Sequence, residues 1–238
     1  MTNNKITCAF ILAAGFGTRL KPFTDDLPKA LVLYKGKPMI ENVITRLKSF
    51  GINEFYINTH HFAGKMEEYF SARKGDEQIT LIHEKEILGT GGAIKNAAKF
   101  LPQKGNFIIY NTDVHSDAEI NELMAFHTGK NALVTLCVQN RDTKRYLLFD
   151  EEGRLVGKAE NGSDKIYIED IGAARKIVRK NFCGIHAVNS RIFSDLKPEN
   201  ESFDVIAFYM KMVNKGEKIY SFDISQKFWK DLGTPNSL

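Results

Sequence analysis

Two patterns of hydrophobic positions alternate along the chain, one typical of buried strands and the other of helices. Residues 6–13 form a continuous apolar run that ends in glycines, a pattern typical of a fully buried strand. Residues 39–50 carry apolar side chains at helical spacing and stop at Gly51, which is a C-terminal helix signal. These patterns recur, and they predict further strands at 54–59, 78–83, 106–110 and 132–139, and helices at 64–72, 92–100 and 117–128, the last with Asp117 as its N-terminal cap.

This alternation of strands with helices of about ten residues indicates β-α-β units and a mostly parallel sheet. In such sheets a ligand binds beyond the carboxyl ends of the strands. Two polar segments, residues 14–29 and 111–113, directly follow predicted strands. We therefore expect a binding site where these two segments meet.

The pattern changes after Gln139. Residues 146–150 and 154–157 flank Glu151-Glu152-Gly153, which is a hairpin signal. Beyond residues 158–175, which show no clear period, a strand is predicted at 181–188, a helix at 203–213 and a strand at 218–222. We expect this part to pack on the same sheet, so that residues 1–238 form one domain with halves at 1–139 and 140–238.

Charge and hydropathy exclude several classes of protein. The chain has 238 residues, 43% of them hydrophobic, and a net charge of +4 with scattered basic residues. Nucleic-acid-binding proteins concentrate Lys and Arg, so we expect no nucleic-acid partner. No apolar run approaches the ~20 residues of a transmembrane helix, and we read the short run after Lys5 as a strand, not as a signal peptide.

The cysteine count fits a reducing compartment. Cys8, Cys137 and Cys183 lie in separate apolar, strand-like runs. An odd number without close spacing argues against a disulfide framework or a zinc site. We expect buried thiols and a cytoplasmic protein.

The segment LAAGFGTRLKPFTDDLPKAL at residues 12–31 carries the clearest chemistry. Gly15 and Gly17 let the backbone approach a ligand and donate N–H groups to phosphate. Arg19 offers a planar fork for two phosphate oxygens, and Lys29 adds a compact positive charge. A Rossmann fingerprint would need a third glycine where Leu20 stands, and no Walker A string occurs.

The whole string G-x-G-T-R-[LM]-x-P-x-T, followed by P-K, resembles the signature of the sugar-1-phosphate nucleotidyltransferases, of the nucleotide-diphospho-sugar transferase superfamily. The resemblance implies an α/β fold: a Rossmann-like three-layer sandwich with a mostly parallel, mixed central sheet. It also implies that Arg19 binds the triphosphate, that Lys29 contacts the reacting phosphates, and that the loop wraps the nucleotide through Ala14, Gly15, Gly17 and Thr18.

Later segments extend the likeness over nearly the whole chain. LGTGGAIKNA implies that Gly89, Thr90 and Gly91 lie beside the base. FIIYNTDVH and FWKDLGTP imply that Asp113 and Asp231 bind Mg²⁺, the expected cofactor. In this reading residues 1–139 bind the nucleotide and residues 140–238 bind the sugar.

The sugar side matches less well. FCGIH implies that Gly184 lies beside the sugar, but the Glu-Lys-Pro string of many family members is absent. Lys158 and Glu160 in GKAEN match it loosely, which leaves the ligand of the sugar phosphate open. Further candidates are Asn58 and Asn111. For His60, His61 and Trp229 we favour structural roles.

The implied reaction condenses a sugar 1-phosphate with a nucleoside triphosphate, and these two are the expected partners. We expect no association with a membrane, and a monomer or small homo-oligomer. The LGTGG segment and the short C-terminus resemble the branch that uses UTP with N-acetylmuramate 1-phosphate or a related sugar, and we expect no appended acyltransferase domain. Alternatives are a mannose- or heptose-1-phosphate guanylyltransferase and a phosphocholine-type cytidylyltransferase. A glycosyltransferase is less favoured because Asp113-Val114-His115 lacks the second carboxylate of a D-x-D motif, and a non-catalytic subunit is less favoured because the charged residues are retained.

Overall fold

The computed structural model describes residues 8–101, 105–143, 145–160, 163–166, 176–196 and 202–238. In these residues the strands are β1 Cys8–Leu12, β2 Leu33–Tyr34, β3 Lys37–Pro38, β4 Glu54–Thr59, β5 Gln78–His83, β6 Asn106–Asn111, β7 Val114–Ser116, β8 Val134–Gln139, β9 Arg145–Phe149, β10 Leu155–Glu160, β11 Ser163–Ile166, β12 Val178–Asn189, β13 Ile219–Asp223 and β14 Trp229–Asp231. The helices are α1 Met39–Lys48, α2 Ala63–Ala72, α3 Gly89–Ala97, α4 Ile120–Gly129 and α5 Val205–Asn214.

One mixed sheet organises the chain in the order β11-β10-β9-β12-β6-β1-β4-β5, with β8 beside β12 and β13 beside β8. Strands β6, β1, β4 and β5 pair in parallel, whereas β12 is antiparallel to both β6 and β8. Strand β8 therefore has the same direction as β6. As a result, the carboxyl ends of β1, β4, β6 and β8 lie along one edge, where the expected site belongs.

Apolar side chains cover both faces of the sheet, which explains the continuous apolar run at the start of the chain. Phe10 of β1 packs in a layer with α3 and α5, and its neighbours Ala9 and Ile11 pack in a layer with α1, α2 and α4. Successive strand residues point to opposite faces, so a strand buried on both faces must be apolar at every position. The predicted α/β sandwich with a mixed central sheet is confirmed.

The later half contains the predicted hairpin, and in the first half the starts of helices α3 and α4 each differ from the predictions by three residues. Strands β9 and β10 pair in an antiparallel manner around Glu151-Glu152-Gly153. Helix α3 begins at Gly89, three residues earlier than predicted. Asp117 was wrongly predicted as the cap of α4: the helix begins at Ile120, and the backbone N–H of Asp117 donates to the carbonyl of Phe228.

The three cysteines are buried free thiols, as expected. Burial raises the pKa of the Cys8 and Cys183 thiols to about 12, so both stay protonated and unreactive at neutral pH. Of the helices that the structure describes, none has the length and apolar character needed to cross a membrane.

Candidate active site

The loop after β1 turns back so that Gly15 and Gly17 lie close to Thr24 and Lys29. Gly17 has a left-handed φ of 65°, and its carbonyl accepts a hydrogen bond of 2.9 Å from the hydroxyl of Thr24. A Cβ atom at Gly17 would lie 2.9 Å from Thr24 Cγ2 and 3.1 Å from Lys29 Cβ. A Cβ atom at Gly15 would lie 3.7 Å from Lys29 Nζ. The glycines therefore allow the loop to close over the lysine side chain.

Lys29 and Asp113 form an ion pair at the carboxyl edge of the sheet. Lys29 opens a turn of 3-10 helix whose next residues, Ala30 and Leu31, are buried. Asp113 lies just beyond the end of β6. Lys29 Nζ donates to Asp113 Oδ2 at 2.8 Å, and the two side chains are 15% and 14% exposed. Water screens such a pair only partly, so its charges strongly affect any ligand that enters.

A short ribbon brings the backbone of the second predicted aspartate beside that of the first. Strand β14 pairs with β7, which places Asp231 opposite Val114, and the N–H of Leu232 donates to the carbonyl of Asp113 at 2.8 Å. The Asp231 carboxylate accepts a 2.6 Å bond from the N–H of Gly233.

The side chain of Arg19 lies close to Asp231. A Cβ atom at Gly233 would lie 2.6 Å from Arg19 Nη2 and 2.7 Å from Asp231 Oδ1, so both groups surround that glycine. The fold thus brings together Arg19, Lys29, Asp113 and Asp231.

Two aspartates are a suitable donor set for magnesium, which takes one or two carboxylates and fills its remaining positions with water and substrate phosphates. Within the described residues, no group of three or more His, Cys, Asp or Glu side chains could hold a metal ion without such help. His115 does not extend the set: its Nε2 lies 3.4 Å from Lys35 Nζ, and burial together with Lys35 lowers the pKa of the imidazole.

The predicted base-binding residues form the first turn of α3. Gly89 has a φ of 66°, and the N–H of Gly91 donates to the carbonyl of Phe203 at 2.9 Å. The Thr90 hydroxyl accepts from the N–H of Val205 at 2.9 Å. A side chain at Gly91 would collide with the Phe203 ring. The glycines therefore permit close packing against the start of α5, in addition to any contact with a base.

A buried carboxylate, which the sequence reading missed, joins this turn to the phosphate loop. Glu84, 2% exposed, accepts hydrogen bonds from Asn58 Nδ2 at 2.7 Å and from the N–H of Leu88 at 3.3 Å. Asn58 Oδ1 in turn accepts from the N–H of Ala13 at 2.6 Å. The amide of Asn58 thus spans two strand ends, which favours a positioning role over direct contact with sugar. The available sequence signal was an acidic residue directly after the apolar strand 78–83.

On the sugar side, Asn111 and Gly184 are neighbours. Gly184 has a φ of 75°, and a Cβ atom there would lie 2.8 Å from Asn111 Nδ2 and 3.0 Å from Val114 Cγ2. Glu160 ends β10, and its side chain lies outside the described part of the structure.

The histidine pair lies beside the phosphate loop. Both the His60 and His61 rings meet Phe16 edge-on, and His60 Nδ1 lies 2.9 Å from the carbonyl of Glu84.

Known proteins share this fold and sequence pattern. The sequence model of the nucleotidyl transferase family matches residues 8–238. A probable mannose-1-phosphate guanylyltransferase 2 of Arabidopsis thaliana is 31% identical over 240 residues, which cover 95% of this chain and 62% of that protein. The mannose-1-phosphate guanylyltransferase of Mycobacterium tuberculosis is 30% identical over 237 residues, which cover 95% of this chain and 61% of that protein.

The chain therefore spans about six tenths of the length of these relatives. Among solved structures, the inositol-1-phosphate CTP transferase from T. maritima has a TM-score of 0.79 at 18% identity and covers 98% of this chain and 92% of its own. This likeness establishes the shared fold.

Proposed function

The chain belongs to the nucleotidyl transferase family, and we propose that it joins a sugar 1-phosphate to a nucleoside triphosphate, giving an NDP-sugar and pyrophosphate. The observation that carries this proposal is the convergence of Lys29, Asp113, Asp231 and Arg19 at the carboxyl edge of the sheet. Two cations and two carboxylates there match a reaction between phosphates.

The chemistry requires charge neutralisation more than proton transfer. A phosphate monoester has a second pKa of about 6, so the sugar phosphate is already largely a dianion at neutral pH. Its oxygen attacks the α-phosphorus of the triphosphate, and the bond from that phosphorus to the β-phosphate oxygen breaks. No general base is required, and the barrier comes largely from bringing two anions together.

Each charged side chain has a distinct task in this proposal. Lys29 neutralises the α-phosphate, and Arg19 holds the β- and γ-phosphates that leave as pyrophosphate. The backbone N–H groups at Gly15 and Gly17 donate to phosphate oxygens. Asp113 and Asp231 would hold magnesium, which when bound neutralises phosphate charge.

For the base we propose guanine, the alternative to the uracil first expected. Guanine presents N1–H and N2–H₂ side by side, and a carboxylate can accept from both. Uracil offers one N–H between two carbonyls, which a carboxylate repels. Glu84 lies beside the predicted base-binding turn, and each of its oxygens accepts one bond from protein and keeps a further lone pair. Because Glu84 is 2% exposed, this contact requires the neighbouring turn to shift when the base binds.

The relatives support the same choice, since both are mannose-1-phosphate guanylyltransferases by name. We therefore propose GTP with mannose 1-phosphate, or with a heptose 1-phosphate, ahead of UTP with N-acetylmuramate 1-phosphate.

A pyrophosphate-release assay tests the proposal. GTP, UTP, CTP and dTTP are each combined with mannose 1-phosphate, a heptose 1-phosphate, N-acetylmuramate 1-phosphate and phosphocholine, with magnesium and with EDTA. The Lys29→Ala protein provides the background rate. We expect magnesium-dependent release that is fastest when GTP is combined with either mannose 1-phosphate or the heptose 1-phosphate. Release with CTP and phosphocholine alone would assign the chain to the cytidylyltransferase alternative, and no release from a folded protein that binds nucleotide would favour a non-catalytic subunit.

A further inference from the structure

Arg141 is a partly buried cation whose hydrogen bonds are incomplete. It lies just beyond the end of β8, at the carboxyl edge of the sheet. Its guanidinium carbon stands 3.8 Å from the centroid of the Trp229 ring, and Nη2 donates to the carbonyl of Phe182 at 2.8 Å. Its Nε is buried and has no hydrogen-bond partner among the described residues. In the part of the chain that the structure describes, no carboxylate lies within 4.0 Å of this guanidinium.

This arrangement is unfavourable in the absence of an anion. Burying a donor without a partner costs roughly 1–3 kcal/mol, and more when the group is charged. The neighbouring cations on β12 do not have this problem, because Arg179 pairs with Asp164 and Lys180 pairs with Asp223. Arg141 is therefore left with a preference for an anionic ligand.

Trp229 connects Arg141 to the reaction site. It precedes Asp231 by two residues on β14, and side chains two apart on a strand point to the same side. The indole Nε1 donates at 2.8 Å to the carbonyl of Cys183, the residue before Gly184. The indole thus contacts both the guanidinium of Arg141 and the carbonyl of the residue before the predicted sugar contact, Gly184.

The proposed reaction needs a further cation for the sugar phosphate. Arg19 and Lys29 are engaged by the triphosphate in the proposed mechanism, and the sugar 1-phosphate arrives as a second, dianionic group. We propose that Arg141 binds the phosphate of the sugar 1-phosphate, with Trp229 holding the planar guanidinium in place. A guanidinium suits phosphate oxygens, and stacking on the indole occupies only its face, so the Nη groups can still donate in the guanidinium plane. This inference rests on the proposed function.

Steady-state kinetics separate this role from a purely structural one. We expect Arg141→Gln to raise KM for mannose 1-phosphate about 10- to 100-fold, the loss of one charged hydrogen-bonding group, while KM for GTP changes less than about twofold. Arg141→Lys keeps the charge and loses the planar fork of donors, so its KM for mannose 1-phosphate should lie between that of the wild-type chain and that of Arg141→Gln. The matched control is Arg145→Gln, an exposed arginine four residues away on β9, which should leave both constants unchanged.

Trp229 is the only tryptophan in the chain, so its fluorescence provides a binding readout independent of turnover. Mannose 1-phosphate is titrated into protein saturated with α,β-methylene-GTP, which cannot be cleaved. We expect a saturable change in the wild-type chain and in Arg145→Gln, and none over the same concentrations in Arg141→Gln.

The outcomes are distinguishable. An unchanged KM for mannose 1-phosphate in Arg141→Gln, or an equal rise in both KM values, would overturn the assignment of Arg141 while leaving the proposed function intact. If the wild-type chain turns over none of the substrate pairs, the proposed function fails and this inference fails with it.

Discussion

Lys29 Nζ and Asp113 Oδ2 are 2.8 Å apart, although 84 positions separate the two residues in the sequence. Each side chain is held where the other neutralises it, and both are mostly buried. In the proposed reaction a triphosphate with its counterion offers each partner a substitute: phosphate oxygens for the lysine and a metal ion for the aspartate. The two side chains would then neutralise each other until substrate takes over both contacts.

Removing the lysine should abolish most of the turnover. We expect Lys29→Ala to lower kcat by about 10²–10³, the effect of removing one charge-stabilising donor, as measured by pyrophosphate release. Lys215→Ala is the control, since Lys215 forms an exposed ion pair with Asp195. Near-normal turnover in Lys29→Ala would contradict the role proposed for Lys29.

The aspartates should control the dependence on metal. We expect Asp231→Asn to raise the magnesium concentration that gives half-maximal activity by roughly tenfold, because one anionic ligand becomes neutral. The measurement is a magnesium titration at fixed substrate, with Asp195→Asn as the control. An unchanged midpoint would remove Asp231 from the metal site.

Gly233 permits Arg19 and Asp231 to lie together. A methyl group there would come within 2.6 Å of Arg19 Nη2 and 2.7 Å of Asp231 Oδ1. Gly233→Ala should therefore lower kcat/KM at least about tenfold while the melting temperature changes by only a few degrees. Gly129→Ala is the matched control, because nothing lies within 4 Å of a Cβ atom built there. Equal activity in the two variants would argue against a close approach of these groups during catalysis.

Glu84 should set the preference for the base. Glu84→Gln replaces an acceptor pair by one acceptor and one donor, which suits uracil better than guanine. We expect the ratio of kcat/KM for GTP to that for UTP to fall at least about tenfold, equivalent to about 1.4 kcal/mol. Glu86→Gln, an exposed change two residues later, should leave the ratio unaltered. A ratio that stays constant in both variants would exclude Glu84 from base selection.

Two buried histidines should make the fold sensitive to acid. Burial lowers the pKa of His186 to about 3, and burial with nearby Arg191 lowers the pKa of His127 to about 4. Both values lie below the ordinary ~6.5, so the unfolded chain takes up these protons first as the pH falls. Stability is therefore unaffected by these groups above pH ~6.5 and is lost progressively down to the folded pKa values.

The loss should reach on the order of 2 kcal/mol for each histidine at pH 5. Urea unfolding at pH 7 and pH 5 measures it. His186→Gln should lose less stability than the wild-type chain between these two pH values, whereas His83→Gln, at an exposed position, should behave like the wild type. The same pH dependence in His186→Gln as in the wild type would show that His186 is not the group responsible.

The sequence predicted the parallel part of the fold well because the signals for these strands and helices lie within short stretches of the chain. Strands β4 and β5 begin and end at the predicted residues, since each is an apolar run bounded by polar residues and turns. The start of α3 was placed too late because Gly89 and Gly91 are poor helix formers. Bonds from the start of α5 hold them in the first helical turn, and that contact is invisible in a local window.

The site was predicted residue by residue from a resemblance, and the structure adds its arrangement. Neither three-residue strand of the β7–β14 ribbon has a hydrophobic period long enough to detect. Glu84 was missed because an acidic residue after a strand is ordinary on a surface, and only its burial makes it unusual. Arg141 was missed for the same reason, since its stacking on Trp229 depends on tertiary structure alone.

The β7–β14 ribbon also determines when the protein can become active as it folds. Its strands are joined by contacts such as that between Ser116 and Phe228, which are 112 positions apart, whereas Glu54 of β4 pairs with Cys8 of β1 and Gln78 of β5, which are 46 and 24 positions away. Contacts of high sequence separation form slowly, because the intervening chain must be ordered first. We therefore expect a refolding chain to recover its helices and the β1–β4–β5 part of its sheet while Asp231 is still remote from Asp113. The proposed activity would then return only with the long-range contacts, and secondary structure alone would be a poor measure of its recovery.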